Sequence, residues 1–535
     1  MSNVRDFNFK FKTVPVAFSY TVSMTSPGEG WALCSFNDNA WVELTGAVYS
    51  DETNRVNVGL TIPADTDIRN NEYSIKVTFV KKNEFIKNLD VKKNPYDNNP
   101  FGALITFDSD VPAVPTTRLL GKHNNDIVKS FSEGTSHSID LLGLYNNYNN
   151  TVCLDLTYEQ IVFRQVLEIL VETDIDFSME TSFAHGFLNR PEELYIVSAN
   201  GMPYHFGFDQ HGEIRWINAN TDGLWRLFPI GYEGRNVLAG NNLSNPLITL
   251  YEMSGKSIRS YAEFNNSIIK FSHEIINIGH NKIAVKHAKA ANNNTPYDES
   301  MITEIDLVTG AVIRTLDINN IYDPKRSTIV ILPPITDNGN DRTHLNSLIW
   351  NPEDGTYLVS ARNQGVMKFK GRVFDASDLM WWLTPHDSEI SAEFKSKLLT
   401  PTNFNDNDYF NSWNRGQHSA SYLPNGDVML FNNANKFRDM AGSLDGPSSI
   451  MVVRIDETNM TVTKIWEWFH PDRAFTRYMS NAIMLPNGNV LSAWAVQREV
   501  FEIAYPSREI LFRATPTEQE GVEDFYRVYK MRLYN

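Results

Sequence analysis

Three histidines, His273, His344 and His418, together with Arg362 and Asn346, are the residues of this chain whose types and placement could do chemistry. A neutral imidazole can act as a nucleophile, as a general acid or base, or as a metal ligand. A guanidinium offers a fixed fork of donors to anionic oxygens and keeps its charge. An amide such as Asn346 adds a neutral donor. A single histidine in a strand is ordinarily a satisfied core or surface residue. His123, His137, His185, His205, His211, His280, His287, His386 and His470 are therefore given no role. The three singled out share one face of a repeating unit, where apolar residues would pack better.

That unit is a strand, a tight turn and a second strand. Residues 415–431 hold it in its clearest form, turned by Leu423-Pro424-Asn425-Gly426. Asn-Gly accepts positive φ at a turn centre, and the flanks are apolar and aromatic. The unit recurs at 480–491. Looser copies lie at 346–358, turned by Asn-Pro-Glu-Asp-Gly, and at 273–285, turned by Gly-His-Asn-Lys. Aligned on their turns, His273, Asn346, His418 and Ser480 occupy one position. His344, two residues before Asn346, joins the same face by strand alternation. Radially packed repeats bring one face of each innermost strand to a common axis. Distant histidines then converge on one pocket.

The elements that must hold them read as all-β: a six-bladed β-propeller preceded by small β-sandwich domains. Residues 1–92 alternate apolar and polar in four runs and predict a sandwich-like accessory domain without a catalytic constellation. Residues 93–178 predict a second small β domain packed on the propeller. Its strands are expected at 103–107, 117–120, 127–131, 138–144 and 152–156, and 94–100 serves as a linker. The apolar, β-branched run at 160–171 reads as a strand. From 179 to 535 the blades take over, starting near residues 194, 236, 273, 344, 418 and 480. The alternating segment 525–533 is placed to close the ring on the first blade.

Bulk properties exclude some classes. With 42% hydrophobic and 21% charged residues the chain is an ordinary globular composition. A net charge of −16, a pI near 5.3 and the lack of a long basic run disfavour a nucleic-acid groove or an anionic membrane surface. The two cysteines, Cys34 and Cys153, fall in different predicted domains, which disfavours a disulfide framework. No apolar run approaches a membrane span. Residues 1–20 lack a charged segment followed by an apolar one, so either no secretory leader is expected or one was removed and Met1 restored.

At this point the motifs suggest a family. Arg342-Thr343-His344-Leu345-Asn346-Ser347, followed by Leu358-Val359-Ser360-Ala361-Arg362-Asn363-Gln364, resembles the H-x-N-S…S-x-R-x-Q signature of bacterial arylsulfate sulfotransferases. Gly416-Gln417-His418 ahead of Leu-Pro-Asn-Gly is similar to a second signature. Phe271-Ser272-His273-Glu274-Ile275 is similar to a third, and Leu142-Gly143-Leu144-Tyr145 to a fourth. The likeness runs from about residue 94 to the C-terminus. It implies a six-bladed propeller behind a small sandwich, and transfer of a sulfuryl group from a phenolic sulfate ester to a phenol without a nucleotide donor, cofactor or metal. It also implies that His418 is the nucleophile and forms a transient sulfohistidine. By the same resemblance His273, His344, Asn346 and Arg362 bind the sulfuryl oxygens and handle the proton.

Aromatic substrates call for a stacking wall, for which Tyr204, Trp413 and Trp494 are the candidates. The partners expected are the aryl sulfate donor and phenolic acceptor, with no nucleic acid and no membrane span. A homo-oligomer or larger assembly would form through the N-terminal domain. The resemblance implies a periplasmic or extracellular enzyme with a close cysteine pair, a pair this sequence lacks; a cytoplasmic or virion-associated location is the alternative. Two other readings stay open. The three histidines can be metal ligands with an open position for water, although the cationic Arg362 on the same face argues against it. The propeller can also be an idle, glycan- or surface-binding module of a virion-type adhesion protein.

Overall fold

The computed structural model describes residues 86–535 apart from 159–160, 200–201, 203, 220–223, 243–246, 263–270, 290–297, 323–340, 342, 372–374, 386–389, 405–412, 437–443, 518–523 and 535. Within 1–85 it describes strand backbones alone, and the side chains of 161, 224, 225, 242, 272 and 289 also lie outside the described set. The chain forms two compact units, 1–95 with 100–173 and 96–99 with 174–535.

The first unit is built from antiparallel strands. Val4–Phe11, Tyr73–Lys81, Gly30–Phe36 and Val42–Glu43 form one sheet, and Ala17–Ser23, Arg55–Thr61 and Tyr49–Ser50 form another. Where the pattern predicts two short strands at 103–107 and 117–120, the structure has one, Gly102–Leu119. Its first half pairs with Ile86–Lys93 and Gly134–Leu142, and its second half with Ile127–Ser130 and Tyr148–Tyr158. Pro112 and Pro115 lie where the partners change. A proline donates nothing to a ladder, so a strand tolerates it best at such a switch. Ile161–Val171 is a strand, paired along its length with Tyr148–Tyr158.

The second unit is a six-bladed β-propeller. Its innermost strands, in ring order, are Phe525–Arg532, Leu224–Tyr232, Phe271–Gly279, Leu345–Asn351, His418–Tyr422 and Asn481–Met484. The ring closes because the C-terminal strand Phe525–Arg532 pairs antiparallel with Glu193–Ala199 of the first blade. The second blade begins at Leu224–Tyr232, one strand before the expected start near Asn236. Pro229 makes that run read as a poor strand, but an innermost strand has one edge outside any ladder and accepts it. The segment 94–100, expected to be a linker with little to bury, also differs. Asn99 is fully buried, with Nδ2 donating to the Met253 carbonyl at 3.2 Å, while Asn98 Nδ2 donates to Gly255 O at 3.0 Å.

The inner edges of six blades present backbone groups that no ladder satisfies. Polar side chains from neighbouring blades take that role. Asn277 bonds both backbone groups of Gly231, and Asn481 both those of Val528. Ser347 Oγ accepts from Ala420 N at 2.9 Å, and Glu274 accepts from Leu348 N at 2.5 Å. Arg527 pairs with Glu274 and donates to Asn346 O at 2.6 Å. Polar residues near the axis therefore belong to the architecture as well as to chemistry. Between blades the packing is apolar, as where Phe431, Trp468, Trp494 and Phe501 interlock.

The propeller also buries neutral histidines. Burial, with Arg226 nearby, pushes His205 down to about 3, and burial pushes His287 down to about 4. Once the chain unfolds, both rings take up protons below their ordinary value near 6.5. Stability is therefore fully present above pH 6.5 and falls as pH drops towards 4, by on the order of 1 kcal/mol per pH unit for each histidine. A melting series from pH 7 to pH 4 is expected to fall throughout, and more shallowly for His205→Leu.

Candidate active site

Three inner strands bring their histidines to the same end of the ring through the same local device. His273 and His344 adopt left-handed backbone, with φ of 40° and 49°, and Ser419 follows His418 with φ of 55°. Pairing slips between Phe271 and Ile275, between Leu345 and Ser347, and between His418 and Ser421. A bulge at a strand entry re-aims a side chain that strict alternation would hold on the ladder. Left-handed backbone at non-glycine residues is costly and concentrates at functional sites. The rings of His273 and His344 meet edge-on, with centroids 4.8 Å apart.

His418 is buried, and its tautomer follows from its partners. Asn433 donates through Nδ2 to Thr476 O at 2.8 Å and Met479 O at 3.2 Å, which turns its Oδ1 towards the ring. That Oδ1 lies 2.8 Å from His418 Nδ1, and Gly416 O lies 3.1 Å from the same nitrogen. Two acceptors on Nδ1 require a proton there, so Nε2 carries the lone pair. The backbone N–H of Met479 points at Nε2 from 3.3 Å, as a lone pair demands. Burial first, then Arg362, pushes the His418 pKa well below the usual histidine value; the Asn433 bond opposes this, and His344 and His273 add to it. Gly416 makes the approach possible. Its φ is +63°, and a Cβ there would lie 2.0 Å from Asn435 Oδ1.

A charged cluster stands beside this ring. His344 Nδ1 lies 2.5 Å from Asp341 Oδ2. His273 Nδ1 lies 3.1 Å from Glu299 Oε2 and 3.2 Å from Lys286 Nζ, and those two groups are themselves 2.9 Å apart. Burial, then Lys286, holds the His273 pKa well below normal. Burial opposes ionisation of Glu299, but Lys286, His273 and His344 outweigh it and keep the carboxyl well below the usual range. Arg362 follows strand Thr356–Ala361, and its N–H donates to His344 O at 2.9 Å. It is 4% exposed, yet among the described residues no hydrogen bond or ion pair holds its guanidinium. Burial lowers its pKa, and Asp341 and Glu299 oppose that. A buried cation without a partner is a seat for an anion.

The structure thus brings together His273, His344, His418 and Arg362. Asn346 is placed differently. Its Nδ2 donates to Gln417 O at 2.7 Å, joining the fourth blade to the fifth, and its Oδ1 has no partner among the described residues. The donor expected for substrate oxygens is thereby committed to the blade joint. The expected aromatic wall does not form. Trp413 and Trp494 are fully buried between blades, against Phe404 and against Phe431, Trp468 and His470. Tyr204 lies on the third strand from the axis, stacked on Phe177. Trp413 and Trp494 serve the apolar packing of sheet on sheet.

Sequence reasoning missed Lys286, Glu299, Asp341 and Asn433. Asp341 stands three residues before His344, and Asn433 lies in the polar run Asn432-Asn433-Ala434-Asn435, both weak signals. His273, Glu299 and His344 place one possible metal-ligand atom each within 4.8 Å of one another. The Lys286 ammonium already supplies positive charge at that spot, and His418 is not part of the group.

Asn433 tests the tautomer argument. Asn433→Leu removes the acceptor and is expected to lower turnover by about 10²-fold or more, as loss of an orienting partner does. Asn433→Asp keeps an acceptor and restores most of the rate near neutral pH. Its carboxylate favours the imidazolium, so activity should be lost at a higher pH on the acid side. A pH–rate profile of both variants checks the pair.

Fold and site define a six-bladed propeller with a buried cluster of histidines and an arginine at its inner strands. The arylsulfotransferase (ASST) family profile matches residues 186–527, and the profile for the arylsulfotransferase Ig-like domain matches residues 90–169. The chain belongs to the arylsulfotransferase family. Arylsulfate sulfotransferase AssT of Escherichia coli O6:H1 is 21% identical over 493 residues, covering 70% of this chain and 79% of that protein. Among solved structures, a protein of unknown function from Bacteroides caccae is 11% identical, covers 64% of this chain and 99% of its own, and has a TM-score of 0.39. A nidogen/laminin complex is 6% identical over 64% of this chain and 100% of its own, at a TM-score of 0.37. Among the described residues no helix is long and apolar enough to cross a membrane.

Proposed function

We propose that the protein moves a sulfuryl group from a phenolic sulfate ester to a phenol by a ping-pong route through sulfohistidine at His418 Nε2. The observation that carries this reading is the pairing of a neutral, tautomer-fixed imidazole with the buried guanidinium of Arg362, which has no hydrogen bond or ion pair among the described residues. Sulfuryl transfer is an in-line displacement with charge on the equatorial oxygens, so positioning and electrostatic stabilisation do most of the work. Arg362 receives those oxygens, His418 attacks sulfur, and splitting one displacement into two lets donor and acceptor use the same well in turn. The Met479 N–H, 3.3 Å from Nε2, is placed to meet the group that arrives there. His344, whose Nδ1 is engaged by Asp341, has its Nε2 left to meet the substrate.

The test is incubation with 4-nitrophenyl sulfate, with and without phenol. Nitrophenolate release that depends on added phenol is the expected result. Release at the same rate without an acceptor would make the protein a sulfatase, and none at all would leave a binding module. The segment before residue 86 forms sheets of its own, which supports an accessory role for it.

A further inference from the structure

His273 has two partners of opposite charge on one ring nitrogen. Lys286 Nζ lies 3.2 Å from Nδ1 and Glu299 Oε2 lies 3.1 Å from it. An ammonium can only donate and a carboxylate can only accept, so these contacts belong to two different tautomers of the ring. With Nδ1 accepting from Lys286, the proton sits on Nε2. With Nδ1 donating to Glu299, Nε2 carries a lone pair. His344 lacks this choice, because its Nδ1 faces the carboxylates Asp341 at 2.5 Å and Glu299 at 3.8 Å. Lys286 and Glu299 lie on adjacent strands of the third blade, Lys282–Lys289 and Asp298–Asp306, and both are buried.

We propose that Lys286 is the proton reservoir of the transfer and acts through His273; this rests on the sulfohistidine reading above. In the first half-reaction His418 Nε2 forms the N–S bond while the S–O(aryl) bond breaks, its electron pair leaving with the phenolate. The phenolate takes the Nε2 proton of His273, and Nδ1 takes a proton from the Lys286 ammonium. Lys286 is left as an amine, and the Nδ1–H now has Glu299 as its acceptor. In the second half-reaction the acceptor phenol returns its proton to Nε2, Nδ1 gives one back to Lys286, and the phenolate oxygen forms the O–S bond as N–S breaks. The proton count closes over one cycle, and no outside acid or base is used.

The surroundings of Lys286 suit that exchange. Burial lowers its pKa, opposed by Glu299 and, more weakly, by Asp341 and Glu274. His287 on its own strand and His273 on the inner strand are further titratable groups close to it among the described residues. A lysine whose ammonium is destabilised by burial gives up a proton more readily.

The test uses leaving groups that differ in their need for a proton. First-turnover phenol release is measured with 4-nitrophenyl sulfate, whose phenolate leaves readily, and with phenyl sulfate, whose phenol has a pKa of about 10. Lys286→Met is expected to slow the nitrophenyl donor by less than about tenfold and the phenyl donor by about 10²–10⁴-fold, the range of general-acid assistance. Lys286→Arg keeps a positive charge but cannot release a proton, and is expected to show the same selective loss. A relay is overturned if either variant slows both donors by one factor, as a packing role would, or if Lys286→Arg matches the parent on phenyl sulfate. Intact mass after 4-nitrophenyl sulfate alone separates the two claims. An adduct with no donor selectivity defeats the relay only, whereas no adduct in the parent protein defeats the sulfohistidine reading beneath it.

Discussion

His418→Ala is expected to abolish turnover and to leave the protein without a sulfuryl adduct after exposure to an aryl sulfate. The loss should be on the order of 10⁴–10⁶, the scale seen when a covalent nucleophile is removed from an oriented site. The substitution leaves Asn433 Oδ1 without the ring N–H, which costs about 1–3 kcal/mol of stability, so a folded but inert protein is the outcome to look for. Intact-mass analysis and a melting curve read both effects in one preparation. A variant retaining turnover within tenfold of the parent would take the nucleophile's role from His418.

Arg362→Met is the second large effect, and its two readouts are expected to move in opposite directions. Removing the guanidinium withdraws the donors that meet the developing charge, so kcat should fall by about 10²–10³-fold. Stability should rise, because the cation is buried without a hydrogen-bonding partner among the described residues. Replacing such a charge by a well-packed apolar side chain gains about 1 kcal/mol or more. The attraction of Asp341 and Glu299 for the guanidinium limits that gain. Arg362→Lys keeps the charge but loses the fork, and should fall between parent and Met in rate. Unchanged kcat in Arg362→Met, or a lower melting temperature joined to full activity, would make Arg362 a structural residue.

Much of the site was legible because the propeller repeats. The Leu-Pro-Asn-Gly turn after His418 and its copies put His273, His344 and His418 on comparable strand entries, and radial packing did the rest. Turn alignment set Asn346 level with His273 and His418, whereas pairing slips between Leu345 and Ser347 and the amide Nδ2 donates to Gln417 O across the blade joint. The tryptophans misled for a related reason. Period-two patterning says that Trp494 has a buried side but not whether that side faces the axis or the next blade, and Trp494 faces Phe431, Trp468 and His470.

The amino-acid order by itself determined the all-β class, the six-fold repeat, the closing C-terminal strand and the identity of the histidines and arginine. Those features follow from local rules: turn residues, side-chain alternation and short motifs act over a few positions. Only the tertiary structure decided which nitrogen of His418 and His344 is protonated and gave His273 two alternatives, and it did so by placing Asn433, Asp341, Lys286 and Glu299 within about 3 Å of particular ring atoms. Hydrogen bonds are selective over tenths of an ångström, and these partners come from separate strands and loops. No periodicity along one strand encodes such a distance, so the chemistry of the rings became readable only when the blades were closed into a ring.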